Sequence, residues 1–425
     1  MRTAKEKRSK KKIVTPHDAQ PAVRRAAWPS RLWKPRAFKA NPHDAQPAVR
    51  RAAWPSRLWK PRAFIVNSHD AQPAVRRAAW PSRLWKPKAF IVKAAGIFLC
   101  LLLIFYILLV NVLVSAALVP SFMEKLEAFE RITEESYAAQ VQTSDIKGNR
   151  QQALNETKEW LKTAEHQKLS VETNDGYRLI AEEFPAEETD SEKGVGGKNH
   201  KWVLLLHGYT GWKEEMYPFA YWYHKQGYHA LVPDLRCQGE SQGDFIGMGW
   251  TDHFDCMLWI DYILSQDEEA QIVIHGQSMG AATALMMTGE ELPGQIQAVV
   301  SDCSYTDAYS MFGEKIKDWF GLPAFPLVDS ACLMLRLRGG YNLKDASALE
   351  AVQKSGTPTL FIHGDSDAMI SVQMSRELYE AAACEKELLI VEGAGHGQTQ
   401  EKDPDTYYNT IRNFLNKTLE NADRL

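Results

Sequence analysis

The chain has 425 residues, 45% hydrophobic and 24% charged, the range of a globular protein with room for one large domain or two ordinary ones. Residues 1–93 hold 24 Lys and Arg against four acids (Glu6, Asp18, Asp44, Asp70), a net +20. The remainder, with 26 basic and 49 acidic residues, carries −23, so the two parts do not share one core or one environment.

The N-terminal arm, residues 1–93, contains three copies of a 26-residue unit across 15–92. The string HDAQPAVRRAAWPSRLWKP begins at His17, His43 and His69, with differences such as Lys88 against Arg36 and Arg62. Structural repeats keep a pattern and vary elsewhere, whereas these copies are nearly letter-identical and lack a long apolar period. Removing 15–92 joins Lys10-Lys11-Lys12-Ile13-Val14 to Lys93-Ala94, an ordinary signal-anchor start. The array therefore reads as an inserted repeat forming a disordered, solvated arm. Its interleaved Arg, Lys and Trp also fit anionic lipid or nucleic acid. No nucleic-acid partner is expected.

Ala94–Val119 follows as 26 residues with no charge and one strongly polar group, Asn111. A helix of that length is about 39 Å long, and a bilayer core needs about 30 Å. A signal peptide would carry a shorter apolar region, so the segment is expected to be one transmembrane helix. Basic residues precede it and Glu124, Glu127 and Glu130 follow. The positive-inside rule then places the N-terminus in the cytoplasm and the rest of the chain outside.

Residues 120–165 are acidic and polar and predict a helical connector. Lys168–Thr173 and Tyr177–Phe184 flank Asn174-Asp175-Gly176, a hairpin signal. A polar loop, Glu187–His200, comes next. Apolar strands then alternate with helices: strands at Val203–Leu206, His229–Pro233, Ile272–Ile274, Ala298–Ser301, Thr359–Ile362 and Leu388–Val391. The helices between them are expected at about Glu214–Gln226, Trp250–Ser265, Ala281–Gly289, Val372–Ala383 and Thr406–Leu419. This order predicts a mainly parallel sheet covered on both faces, spanning 166–425.

Gly276-Gln277-Ser278-Met279-Gly280 matches G-x-S-x-G, with strand QIVIH before it and the small-residue helix AATAL after. That context is the strand–turn–helix of a nucleophile elbow. A serine hydroxyl needs a base, and the base an orienting carboxylate. After Ser278 the histidines are His363 and His396. His363 comes directly off a strand and reads as a structural turn residue. His396, in the small-residue loop Gly393-Ala394-Gly395-His396-Gly397, is the candidate base. Asp365 and Asp367 both fit the acid. The backbone N–H of Met279, next to the nucleophile, is one candidate oxyanion donor.

Together, HGYTG at 207–211, DLRCQGES at 234–241, HGQSMG at 275–280, HGDSD at 363–367 and GAGHG at 393–397 resemble the α/β-hydrolase family of esterases, lipases and serine peptidases. The chain is also similar to bacterial membrane-anchored hydrolases of unassigned substrate. The resemblance covers about Lys168–Leu419. It implies Asp367 as the acid, although Ile370-Ser371 stand where the family usually has Val-Pro. Asp302, one strand earlier, is the rival, and Asp365 becomes a solvated or turn-capping residue. The resemblance also implies Tyr209 as the second oxyanion donor. Asp234, Arg236 and Gly239 are expected to brace the neighbouring loop.

About 55 residues separate the strands ending near Ser301 and starting near Thr359. They predict helices at Met311–Gly321, Phe325–Arg338 and Asp345–Lys354, a small lid at about 305–355. Packing on the sheet alone would account for the same apolar faces. The expectation is a membrane-anchored serine hydrolase acting on a small ester or amide with an apolar acyl part. A serine peptidase of the same fold and a catalytically idle tethered binding protein are the alternatives. The six cysteines show no CxxC pair or zinc-ligand spacing, and no motif implies a metal, nucleotide or flavin.

Overall fold

The computed structural model describes residues 87–123, 143–186 and 199–422. The repeat array of the basic arm up to residue 86, part of the connector and most of the Glu187–His200 loop lie outside the described residues; the array's last residues, 87–92, are helical. One eight-stranded sheet organises the fold, in the order β1-β2-β4-β3-β5-β6-β7-β8. Strands β1 (Gln167–Glu172) and β2 (Arg178–Phe184) form the predicted hairpin, tightened by Gly176 at φ +88°. Strand β2 pairs antiparallel with β4 (His229–Pro233), and every later pairing is parallel. Those parallel strands are β3 (Lys201–Leu206), β5 (Gln271–Gln277), β6 (Ile296–Asp302), β7 (Thr359–Gly364) and β8 (Lys386–Val391). The continuous apolar runs of β3 and β5 to β7 are explained by burial on both faces.

Alternate side chains of each strand enter opposite cores. Leu204, Ile272, Ile274 and Val299 pack in one core, where helices Trp250–Gln266 and Met279–Met287 lie. Val203, Leu205, Val273 and Val300 pack in the other, under helices Tyr217–Lys225 and Pro404–Ala422. The connector's helix Ser144–Trp160 joins this second face, with Trp160 tilted 4.9 Å from Phe184.

Between β6 and β7 the chain forms helices α6 (Ala308–Phe320), α7 (Ala324–Arg338) and α8 (Ala348–Val352), counting α1 to α5 as Pro87–Leu118, Ser144–Trp160, Tyr217–Lys225, Trp250–Gln266 and Met279–Met287. Three of these bounds differ usefully from the sequence expectation. Helix α1 starts at Pro87, ahead of Ala94, because proline suits a first helical turn and Lys88 and Lys93 do not interrupt it. Helix α5 starts at Met279, directly after Ser278, so the turn is tighter than expected. Strand β7 runs through His363 to Gly364, so His363 is a strand residue and not a turn residue.

Candidate active site

Ser278 sits between β5 and α5 with φ 56° and ψ −117°. A side chain in that region costs about 1–3 kcal/mol of strain. The surroundings enforce it. Ser278 N–H donates to the Asp302 carbonyl at 2.8 Å, and its own carbonyl accepts from Ala282 N–H at 3.0 Å. The flanking glycines are required by close approach: a Cβ on Gly276 would lie 2.2 Å from the Gly280 carbonyl oxygen, and one on Gly280 would lie 2.1 Å from that of Leu206. The G-x-S-x-G spacing is therefore a packing requirement as well as a motif.

His396 reaches Ser278 from the loop after β8. Its Nε2 lies 2.9 Å from Ser278 Oγ, and its Nδ1 lies 2.7 Å from Asp367 Oδ2. Asp367 stands in the loop after β7 with its side chain fully shielded. Its Oδ1 accepts from the N–H groups of Met369 and Ile370, both at 2.8 Å. Its Oδ2 also lies 3.0 Å from His363 Nε2. Burial opposes ionisation of Asp367, but the two histidines and these bonds outweigh it and hold the carboxyl well below its ordinary range. For His396, burial favours the neutral ring, while Cys303 and Asp367 reverse that and hold its pKa well above 6.5. Burial pushes the Cys303 thiol up to about 11, so at neutral pH the Asp367 carboxylate is the charge that acts on the ring.

The other carboxylates have different partners. Asp302 is fully buried and accepts from Thr399 Oγ1 (2.9 Å) and Tyr407 O–H (3.1 Å). Burial is the main reason its pKa is raised. Tyr407 O–H also meets His275 Nε2 at 3.2 Å, and burial pushes the His275 ring down to about 3, leaving it neutral. Asp365 is exposed and accepts from Gly393 N–H at 2.7 Å, pinning the loop that carries His396. Asp234 accepts from the N–H groups of Lys213 (2.8 Å) and Glu240 (2.9 Å) and from Lys213 Nζ (3.1 Å). A Cβ on Gly239 would strike that carboxylate at 2.2 Å. Arg236 clamps Asp255 and Asp175, with its Nε 2.6 Å from Asp255 Oδ2. These contacts brace the loop after β4.

Two contributors escape sequence reasoning. His207 ends the run after β3, and its Nε2 accepts from Leu235 N–H at 2.9 Å. That leaves Nδ1–H to donate to the Gly208 carbonyl at 2.8 Å, which shapes the loop beside Ser278. Gly208 approaches so closely that its Cβ would touch Ser278 Cβ at 3.4 Å. Among the described residues the backbone N–H groups of Tyr209, in this loop, and Met279, at the start of α5, have no hydrogen-bond acceptor. Cys303, directly after β6 at φ 51°, is the second contributor. Its Sγ and one ligand atom each of Asp367 and His396 lie within 4.8 Å of one another, the single group with metal-ligand spacing among the described residues. Nothing local in the sequence separates Cys303 from a buried small hydrophobe; its place at the end of β6 is the only signal.

Several known proteins resemble this chain. The prolyl oligopeptidase family pattern matches residues 216–422. The uncharacterized protein YqkD of Bacillus subtilis is 28% identical over 222 residues, 52% of this chain and 73% of that protein. The lysophosphatidylserine lipase ABHD12 of Rattus norvegicus is 25% identical over 202 residues, 44% of this chain and 46% of that protein. The esterase Pf2001 of Pyrococcus furiosus is similar in structure at TM-score 0.48 and 23% identity, covering 60% of this chain and 92% of that one. The sheet order and the elbow give the chain the α/β-hydrolase fold, and the family match makes it similar to the serine hydrolases built on that fold.

Proposed function

We propose that the chain is a membrane-anchored esterase in which Ser278 is the nucleophile, His396 the general base and Asp367 its orienting acid. The unbroken line from Ser278 Oγ to His396 Nε2 (2.9 Å) and from Nδ1 to Asp367 (2.7 Å) carries this reading. Asp367 keeps the His396 proton on Nδ1, which leaves Nε2 free to accept the serine proton. Ser278 Oγ attacks the ester carbonyl as His396 takes that proton. The oxyanion is held by the N–H groups of Tyr209 and Met279, one such donor being worth about 3 kcal/mol of barrier. His396 returns the proton to the leaving alcohol, and the acyl group stays on Ser278. Water, deprotonated by His396, then releases the carboxylic acid and restores the serine.

Ester chemistry is favoured by the apolar helices between β6 and β7 and by the activity named for the rat relative. The prolyl oligopeptidase match favours a second reading, a serine peptidase with the same apparatus. The third alternative, an idle binding protein, leaves the base–acid line without a purpose. Anchoring is supported by the exposed apolar helix Phe90–Leu118, long enough to cross a bilayer. The charge asymmetry around it supports a cytoplasmic N-terminus and an extracytoplasmic hydrolase. A fluorophosphonate probe should label the wild type and not Ser278→Ala. Equal labelling of both would refute the assignment. p-Nitrophenyl esters of rising chain length, set against aminoacyl anilides, then separate esterase from peptidase.

A further inference from the structure

Helix α7 lies alongside α1, and polar contacts fix the level at which it does so. Tyr106 O–H shares a hydrogen bond with Ser330 Oγ at 2.9 Å and reaches the Pro326 carbonyl at 3.3 Å. Arg338, at the other end of α7, donates to the Asn111 carbonyl (3.2 Å), Asn111 Oδ1 (3.0 Å) and Ser115 Oγ (2.8 Å). The two helices therefore run in the same direction over 106–115. Higher up, Leu118 O accepts from Ile246 N–H at 2.9 Å, and Ala117 O accepts from the Tyr209 hydroxyl.

Helix rise turns these contacts into depths. Lys93 is the last charge before the apolar run, and a hydrocarbon core of about 30 Å takes about 20 residues. Counted from Lys93, the outer boundary falls near Leu113. Asn111, Ser115 and the Arg338 guanidinium then sit at that boundary, where polar groups belong. Tyr106, with Pro326 and Ser330, lies roughly 10 Å below it. The turn joining α6 to α7 is therefore no shallower than this. With the helix ends that flank it, it reads Trp319-Phe320-Gly321-Leu322-Pro323-Ala324-Phe325, without a charge or a side-chain hydrogen-bonding group except the tryptophan N–H. Its large side chains point outward, Phe325 being 72% exposed, and Leu333 and Leu337 extend the patch along α7, Leu337 being 75% exposed. A patch of that kind is unusual on a surface facing water.

We propose that residues 319–325 and the outward face of α7 are seated in the extracytoplasmic leaflet of the bilayer. The surface is continuous with the exposed apolar face of α1, so a single lipid environment covers both. Tyr209 binds the outer end of α1, which puts the oxyanion loop at headgroup level. The site then receives an acyl-chain ester from the leaflet. This inference rests on the membrane-anchored reading proposed above.

The test uses the full chain, with Cys100→Ala, in unilamellar vesicles of phosphatidylcholine and phosphatidylglycerol. Nitroxides are placed at Phe325→Cys, Leu337→Cys, Leu109→Cys on α1 and Asn413→Cys on the opposite face of the sheet. Collision with oxygen, which partitions into lipid, is compared with collision with a water-soluble nickel chelate. The expected result is oxygen-dominated collision at 325, 337 and 109 and nickel-dominated collision at 413. Nickel access at 325 and 337 equal to that at 413, with 109 still in lipid, would overturn the inference and leave the anchor standing. Nickel access at 109 as well would overturn both. Independently, Phe325→Asp should lower hydrolysis of a vesicle-borne long-chain ester at least tenfold and leave hydrolysis of dissolved p-nitrophenyl acetate unchanged. Equal losses on both substrates would overturn the leaflet delivery.

Discussion

Replacing Asp367 by asparagine should disable the site without unfolding it, because the loop dictates how the amide must sit. Asp367 Oδ1 accepts from two backbone N–H groups, Met369 and Ile370, each at 2.8 Å. Only the amide oxygen can take that place, which turns the NH2 toward His396 Nδ1. The ring must then accept at Nδ1 and carry its proton on Nε2, where it no longer accepts from Ser278. A base locked in the wrong tautomer loses about 10⁴-fold in kcat/KM, or about 5 kcal/mol of transition-state stabilisation. Initial rates on p-nitrophenyl butyrate and the rate of fluorophosphonate labelling should fall together. The melting temperature should change little, since both backbone donors keep an acceptor. A variant within tenfold of wild-type kcat/KM, folded and labelled normally, would refute the assignment of Asp367.

The pH profile carries a sign: as the proposed general base His396 must be neutral to act, and its pKa is raised, so kcat/KM should fall as pH drops through a midpoint above 6.5. A midpoint below 6.5 would contradict the charge on Asp367 as its cause. Gly280→Ala should destabilise the fold by about 3 kcal/mol or prevent folding, since its Cβ would lie 2.1 Å from a backbone oxygen, whereas Gly294→Ala, with nothing within 4 Å, should be neutral in thermal melts. Burial, with Asp255 beside it, pushes Asp252 up to about 7. The native state therefore keeps a proton that the unfolded chain releases near pH 4, and stability should fall as pH rises from about 4 to 7, by about 4 kcal/mol at most. Asp252→Asn should flatten that decline in melting temperature, its amide oxygen still accepting from Gly249 N–H; an unchanged slope would exclude Asp252 as the cause.

The strands were legible because doubly buried parallel strands are continuous apolar runs, and Val203–Leu206 and Ile272–Ile274 are such runs, too short for helices. Ends were less legible. Strand β7 continues through His363 because that side chain is buried by Ser375 Oγ at 2.6 Å and the Ile370 carbonyl at 3.0 Å, neither of which a local pattern announces. The elbow could be read from five letters because each of its glycines answers to a backbone contact made within a strand–turn–helix. The contact between α7 and α1 could not be read at all. It joins Tyr106 to Ser330 and Arg338 to Asn111, more than 220 positions apart, through side chains that look like ordinary surface groups.

The three carboxylates near the base show what geometry adds to such a reading. Asp302 ends β6, and Asp365 and Asp367 follow β7 at the same edge of the sheet, so spacing alone leaves them equivalent. Asp302 is a strand residue whose backbone carbonyl already holds Ser278 N–H, and its carboxylate is directed toward Thr399 and Tyr407. That side chain could reach His396 only by abandoning two buried donors. Asp365 is spent on Gly393 N–H at the base of the loop carrying His396. Asp367, two residues further round the turn, has one oxygen fixed by the turn's own N–H groups and the other directed at the ring. One acid thus holds the Ser278 backbone, one the loop and one the imidazole. This division explains why an HGDSD sequence carries two aspartates, and why neither could be exchanged for the other without moving His396.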